Sequence, residues 1–240
     1  MNIVITMAGL GLRFRDAGYT VPKYQIEVNG KTLFEWSMSS LENFFDDKFI
    51  FLVRKDDGAT DFINATCGKM GINAKIIQLD KLTRGQAETA MFASKLWIAD
   101  EPLLIYNIDT YVEPGHLRPE LLRGAGFIPC FTAVGTHWSF VKLDAAGKAV
   151  EVREKERISN HCSIGAYYFQ SARIYADLYE NFYGNDSGRV EQYIAPIYNL
   201  LIERGADVFI QDIAAEFVHV LGTPAEVDAF AKTSGGHGDV

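Results

Sequence analysis

Cysteine is scarce in this sequence, and positive charge is outnumbered. The 240 residues include three cysteines, Cys67, Cys130 and Cys162. They are odd in number, far apart and never arranged Cys-x-x-Cys, so neither a disulfide framework nor a cysteine zinc site is expected. Buried, reduced thiols are the reading they support. Lys and Arg number 23 against 31 Asp and Glu, a formal net charge of −8. Duplex nucleic-acid binders carry a basic balance, so the composition argues against nucleic acid as a partner. No apolar run approaches the roughly 20 residues of a membrane helix. The N-terminus enters a strand with no basic start and no cleavable apolar segment. No membrane insertion and a cytoplasmic location are expected. His116, His137 and His161 stand with no nucleophile at informative spacing, so no Ser-His-Asp or Cys-His chemistry is indicated.

What the chain does have is enough apolar residues, 48%, to bury a full core. Neither a repeat nor a linker divides it. One domain over 1–232 is expected, with 233–240 as a disordered tail. Strand patterns alternate with helix patterns over the first hundred residues, which argues for a parallel sheet in an α/β layer architecture. Strands are expected at Asn2–Thr6, Lys48–Val53, Ala74–Leu79 and Pro102–Tyr106. Helices are expected from Leu33, over Asp56–Met70 and over Gln86–Leu96. Asn29-Gly30 is a turn signal. The second half reads as shorter strands at 127–133, 139–143, 150–153, 163–169, 208–212 and 217–221. Helices fall at 171–182, 190–203 and 224–232.

The informative stretch runs from Met7 to Lys23. Ala8, Gly9 and Gly11 follow a buried strand, where glycine lets backbone N–H groups approach a ligand. A dinucleotide fingerprint would need Gly or Ala at position 14, and Phe14 stands there. The Gly-Lys-Ser/Thr of a P-loop is missing too. A tight structural turn and a ligand loop would use the glycines alike. Arg13 and Lys23 favour the ligand loop, since a structural turn needs neither.

Gly9-x-Gly11-x-Arg13, Pro22-Lys23 and Gly30-Lys31-Thr32-Leu33, in that order, resemble the signature of the nucleotidyltransferases that activate sugar phosphates and phospho-alcohols. The resemblance covers roughly residues 1 to 230. It implies a three-layer α/β/α Rossmann-like fold, related to the GT-A glycosyltransferases, with a mixed, mostly parallel central sheet. It also implies site roles. Gly9, Gly11 and neighbouring Ala8 would line the nucleotide. Arg13 would grip the departing pyrophosphate and Lys23 would neutralise the reacting phosphates. Gly85, Gln86 and Glu88 fall in the base-recognition segment, with Glu88 where thymidylyltransferases carry a base-contacting glutamine. A carboxylate there can accept from the amino group of cytosine, and it could also serve guanine or an imino N–H; CTP is the triphosphate expected. Glu88 is equally a first-turn Glu suited to a helix dipole.

Asn107-Ile108-Asp109 resembles the strand end that carries the metal ligand, Asp109 for Mg2+, although an Asp in such a place can also be a cap. Glu154, Lys155 and Gly165 match the acceptor segment, with Lys155 on the attacking phosphate. Gly222-Thr223-Pro224 matches the closing segment. The chain departs from the family there: Val220 occupies the place of a second acidic metal ligand. Either one carboxylate suffices, or Glu216 or His219 substitutes.

The implied reaction is Mg2+-dependent. A phosphomonoester (a sugar phosphate or a small phospho-alcohol or phospho-amino compound) attacks a nucleoside triphosphate and pyrophosphate leaves. The product would be an activated precursor of a surface polysaccharide such as capsule, made by a monomer or homodimer. Two alternatives remain open. A GT-A-type glycosyltransferase would use a nucleotide sugar, but Asn107-Ile108-Asp109 lacks the first Asp of its Asp-x-Asp motif. A non-catalytic nucleotide-binding homologue would draw on Val220.

Overall fold

The computed structural model describes residues 1–184 and 191–233. Its strands, in chain order, are β1 Asn2–Thr6, β2 Glu27–Val28, β3 Lys31–Thr32, β4 Lys48–Arg54, β5 Ala74–Leu79, β6 Leu103–Asn107 and β7 Thr110–Val112. They continue as β8 Gly126–Phe131, β9 Ser139–Leu143, β10 Ala149–Glu154, β11 His161–Ser163, β12 Ala166–Phe169, β13 Val208–Asp212 and β14 Val218–Val220. The helices are α1 Leu12–Asp16, α2 Leu33–Ser39, α3 Thr60–Met70, α4 Gln86–Met91, α5 Ala172–Tyr183, α6 Tyr198–Glu203 and α7 Pro224–Thr233.

A ten-stranded sheet runs β10-β9-β11-β8-β12-β6-β1-β4-β5, with β13 added to β8. Strands β1, β4, β5, β6, β8, β9 and β13 point one way; β10, β11 and β12 point the other. The sheet is therefore mixed and mostly parallel. Side chains alternate across a strand, and both faces of this one are covered. Ile3, Ile5, Phe49 and Phe51 pack with Phe34 and Met38 of α2 and Ile63 of α3. Val4, Ile50, Leu52 and Ile105 pack on the other face with α4, α5 and α6. These are the three layers, and they explain why the central strands read as unbroken apolar runs.

The switch in strand order lies at β1. The chain leaves β1 for β4 on one side, and β6 returns to pair with β1 on the other. Loops after β1 and β6 thus diverge at the carboxyl edge and leave a crevice, the usual ligand position in open α/β sheets. A third apolar cluster, with Phe14, Leu33, Tyr111, Leu221, Val227 and Phe230, clamps the glycine loop, α2 and α7 together beside that crevice.

Local chemistry sets the element ends. Thr32 opens α2 with a complete capping box: its Oγ1 accepts from Glu35 N at 3.2 Å, and Glu35 Oε2 accepts from Thr32 N at 2.8 Å. Asn29 (φ 49°) and Gly30 (φ 76°) make the tight turn between β2 and β3. Several expectations are corrected. The strand expected at 163–169 is two strands, broken at Gly165 with φ 84°. The helix expected from Asp56 starts at Thr60, after a 3-10 turn ended by left-handed Gly58. The helix over 86–96 tightens to a 3-10 turn after Met91. Of the helix expected over 190–203, Val190 lies outside the described residues; Ala195–Ile197 is a 3-10 turn and α6 follows. Residues 234–240 of the expected tail also lie outside the described residues.

Candidate active site

Lys23 follows Pro22 at the end of the loop after β1, and Asp109 sits on the bend between β6 and β7. Lys23 Nζ donates to Asp109 Oδ2 at 2.8 Å, closing the crevice floor at the switch point. Burial alone would push the Asp109 carboxyl up. The Lys23 ammonium, by charge and by hydrogen bond, and Arg13 at longer range outweigh it and hold the carboxyl below its usual range.

Asp109 lines three adjoining cavities. The largest, about 560 Å³ and within the size range of small-ligand sites, is also lined by Ala8, Gly9, Gly85, Gln86 and Asn107. A second holds Arg13, Asn107, Glu154 and Gly165, with Trp138 and Tyr167 on its wall. A smaller one behind the glycine loop holds Gly11, Lys23 and Arg15. Residues drawn from both halves of the chain therefore converge on one carboxylate.

Gly85 opens α4 in an extended, positive-φ conformation (φ 156°, ψ −176°) that only glycine adopts readily. A Cβ there would lie 2.4 Å from Gln192 O. Gln192 itself donates its N–H to Arg84 O at 2.9 Å and accepts from Ala87 N at 3.0 Å. The 191–194 segment thus straps the turn that starts α4. Gln86 Nε2 donates to Thr6 Oγ1 at 3.0 Å and lines both open clefts.

Glu88, expected at the base, turns its carboxylate to Arg84, which itself lines the largest cleft. Its Oε2 accepts from Arg84 N at 2.6 Å and its Oε1 from Arg84 Nε at 2.9 Å. Both oxygens serve the start of α4, as a first-turn Glu does. Lys155 is not on the cleft wall. It adopts φ 58°, its Nζ donates to Tyr193 Oη, and Glu191 Oε2 lies 3.8 Å away.

In the second cleft Ser139 Oγ donates to Glu154 Oε2 and lies 3.2 Å from Tyr167 Oη. Burial pushes the Glu154 carboxyl up, against the Ser139 hydrogen bond and the charge of Lys155. Burial, helped by Glu154, pushes the Tyr167 hydroxyl up to about 12. Trp138 and Tyr167 both reach this wall, while Phe169 is core. Arg15, Gln192 and Tyr193 had not been singled out from the sequence. Arg15 could have been noticed as a further cation on the glycine loop; nothing in sequence spacing points to the 191–194 strap.

Four buried side-chain atoms lack a hydrogen-bond partner among the described residues: Tyr24 Oη, Arg54 Nη1, Asn107 Oδ1 and Glu226 Oε2. Tyr24, Asn107 and Glu226 all line the cavities around Asp109. Buried polar groups are nearly always satisfied, so their gathering here marks a place built for a polar ligand.

No family model matches the chain, and no curated protein matches it. Solved structures do. The structure of the nucleoside-diphosphate-sugar pyrophosphorylase from Vibrio cholerae RC9 is 35% identical, covers 96% of this chain and 99% of its own, and superposes with a TM-score of 0.89. The inositol-1-phosphate CTP transferase from T. maritima is 18% identical over 99% of this chain and 98% of its own, with a TM-score of 0.78, a likeness of fold.

Proposed function

Because the chain belongs to the nucleotidyltransferase family of the Vibrio cholerae nucleoside-diphosphate-sugar pyrophosphorylase, we propose that it joins a nucleoside triphosphate to a phosphorylated sugar or small phospho-alcohol. A phosphate oxygen of the acceptor attacks the α-phosphorus. The bond from that phosphorus to the α–β bridging oxygen breaks, and pyrophosphate leaves with the electron pair. The observation that carries this reading is the sharing of Asp109 and Asn107 between two open clefts, one under the glycine loop and one around Glu154 and Gly165. Two substrates placed there would meet at one point.

Such a transfer asks the protein to position and to neutralise. Lys23, bonded to Asp109, and Arg13, on the wall of the second cleft, supply positive charge. Backbone at Gly9 is open to the nucleotide: a Cβ there would meet nothing within 4 Å. Ser139, Glu154 and Tyr167 offer hydrogen bonds to acceptor hydroxyls. Lys155 reaches the acceptor phosphate by leaving Tyr193. Asp109 would hold Mg2+, which screens the phosphates and polarises the α-phosphorus when bound. The unpartnered oxygens beside it, hard acceptors in a buried place, fit such a cation.

The base is left to the 84–86 turn and Gln86, whose amide can both donate and accept. The cytosine preference rests on Glu88, whose oxygens both bond Arg84 in this structure. A nucleotide-activated acceptor is a building block, and a surface polysaccharide is the use proposed for it. The test is pyrophosphate release, measured with Mg2+, each of CTP, UTP, GTP, ATP and dTTP, and a panel of sugar phosphates and phospho-alcohols. Release with at least one pair is expected. Silence with every pair, joined to transfer or hydrolysis from a finished nucleotide sugar, would turn the reading to a glycosyltransferase.

A further inference from the structure

Strand β14 ends in Val220 where the resemblance places an acidic metal ligand. Val220 pairs with Thr110 in the short β7–β14 ladder and lines the acceptor cleft. Its isopropyl group offers nothing to a hard cation, which takes oxygen. The two substitutes considered from the sequence do not reach the cleft either. His219 Nε2 lies 3.1 Å from Glu113 Oε1, and its ring stacks on Tyr111 with centroids 5.3 Å apart. Glu216 is exposed on the 3-10 turn before β14.

A different carboxylate does reach it. After β14 the chain turns at Gly222 and enters α7, whose first turn carries Glu226. Leu221 N donates to Asp109 O at 2.8 Å, so this turn is tied to the bend that carries Asp109. Glu226 N donates to Thr223 Oγ1 at 3.3 Å, which fixes the backbone. The side chain runs back to the cleft, where Oε2 is buried without a hydrogen-bond partner. A Cβ on Gly222 would stand 3.4 Å from Glu226 Oε2 and 3.6 Å from Asp109 Oδ2. Both oxygens therefore border the same glycine. A buried carboxylate oxygen that meets no donor is unfavourable unless a cation comes to it. A side chain at position 222 would touch both oxygens.

On the reading that Asp109 binds Mg2+, the geometry points to Glu226 as the second carboxylate of that site, supplied from helix α7 in place of the strand position occupied by Val220. One or two protein carboxylates, with phosphate oxygens and water, make the usual Mg2+ shell. Glu226 follows the Gly222 turn where Val220 precedes it, and it lines the same cleft as Asp109.

Mn2+ titration tests this directly, with free Mn2+ read by electron paramagnetic resonance. The proteins are wild type, Asp109→Asn, Glu226→Gln and Glu226→Asp, each melted in EDTA to show that it is folded. Glu226→Gln is expected to weaken Mn2+ binding at least about tenfold, as loss of a ligand or of its support does, while its melting temperature in EDTA equals or exceeds that of wild type. Glu226→Asp, which keeps the charge on a shorter arm, should fall between and serves if the Gln variant does not fold. Wild-type affinity in Glu226→Gln with loss in Asp109→Asn overturns the role of Glu226 and leaves the metal at Asp109 standing. Undiminished affinity in both variants, or no Mn2+ binding by wild type, overturns both.

Discussion

Lys23 and Asp109 stand 86 positions apart in sequence and 2.8 Å apart in space, joined across the point where the strand order reverses. Each comes from the loop that leaves one of two adjacent parallel strands. The pair is a consequence of topology: neighbouring strands whose connections depart in opposite directions bring their following loops face to face.

The pairing has a sign in acid. Asp109 ionises below the ordinary carboxylate range, so its stabilisation is complete above that range and is lost as pH falls through the lowered value. Lys23→Met removes the counter-charge and leaves burial to raise the carboxyl. The melting-temperature gap between wild type and Lys23→Met should be widest near neutral pH and should close as pH drops below about 4, the unperturbed value. A gap that is constant from pH 3 to 7 would show that the ion pair does not set it.

Turnover should depend on the same two residues. Lys23→Ala and Asp109→Ala are each expected to lower kcat by about 10²-fold or more, the loss seen when one preorganised charge at a reacting centre is removed. Full pyrophosphate release by either variant would dismiss the site.

Glu88 gives a contrasting expectation. Its oxygens bond the Arg84 backbone and guanidinium. Glu88→Ala should cost about 1 kcal/mol in urea unfolding, the scale of a lost helix-start hydrogen bond. The ranking of the five triphosphates should stay as in wild type. A changed ranking would return Glu88 to the base.

Gly165 couples stability to the acceptor cleft. At φ 84° a Cβ would lie 2.0 Å from Asn107 Nδ2. Gly165→Ala combines backbone strain with displacement of Asn107, and should destabilise by about 2 kcal/mol. It should also raise KM for the acceptor, measured at saturating triphosphate. Unaltered stability and KM together would mean that the strand break at Gly165 absorbs the methyl group freely.

Much of the fold is legible in the residues. Ile3, Ile5 and Val4 read as one apolar run because both faces of β1 are covered, and strand-helix alternation follows from that. Asn29-Gly30 and the Thr32–Glu35 box announce their turn and helix start in plain residue chemistry. The glycine loop with Arg13, Lys23 and Asp109 was legible through an ordered motif. Other parts were not. Glu88 and Lys155 sit in the expected segments, yet Arg84 and Tyr193 claim their side chains, and no spacing rule reveals where a long charged side chain turns. Glu226 was hidden by its own context: Thr223-x-x-Glu226 reads as a helix cap, and its backbone does cap. Only the third dimension shows that its oxygen and Asp109 border the same glycine.

Asp109 borders the glycine-loop cleft, the Glu154 cleft and the cavity behind the loop at once. For a two-substrate enzyme, a shared wall is also a kinetic constraint. On the proposed reaction the product carries a nucleotide at one end and the acceptor at the other, and it would lie over that carboxylate and occupy both clefts together. Neither incoming substrate can settle while it remains. Product should therefore compete with both substrates.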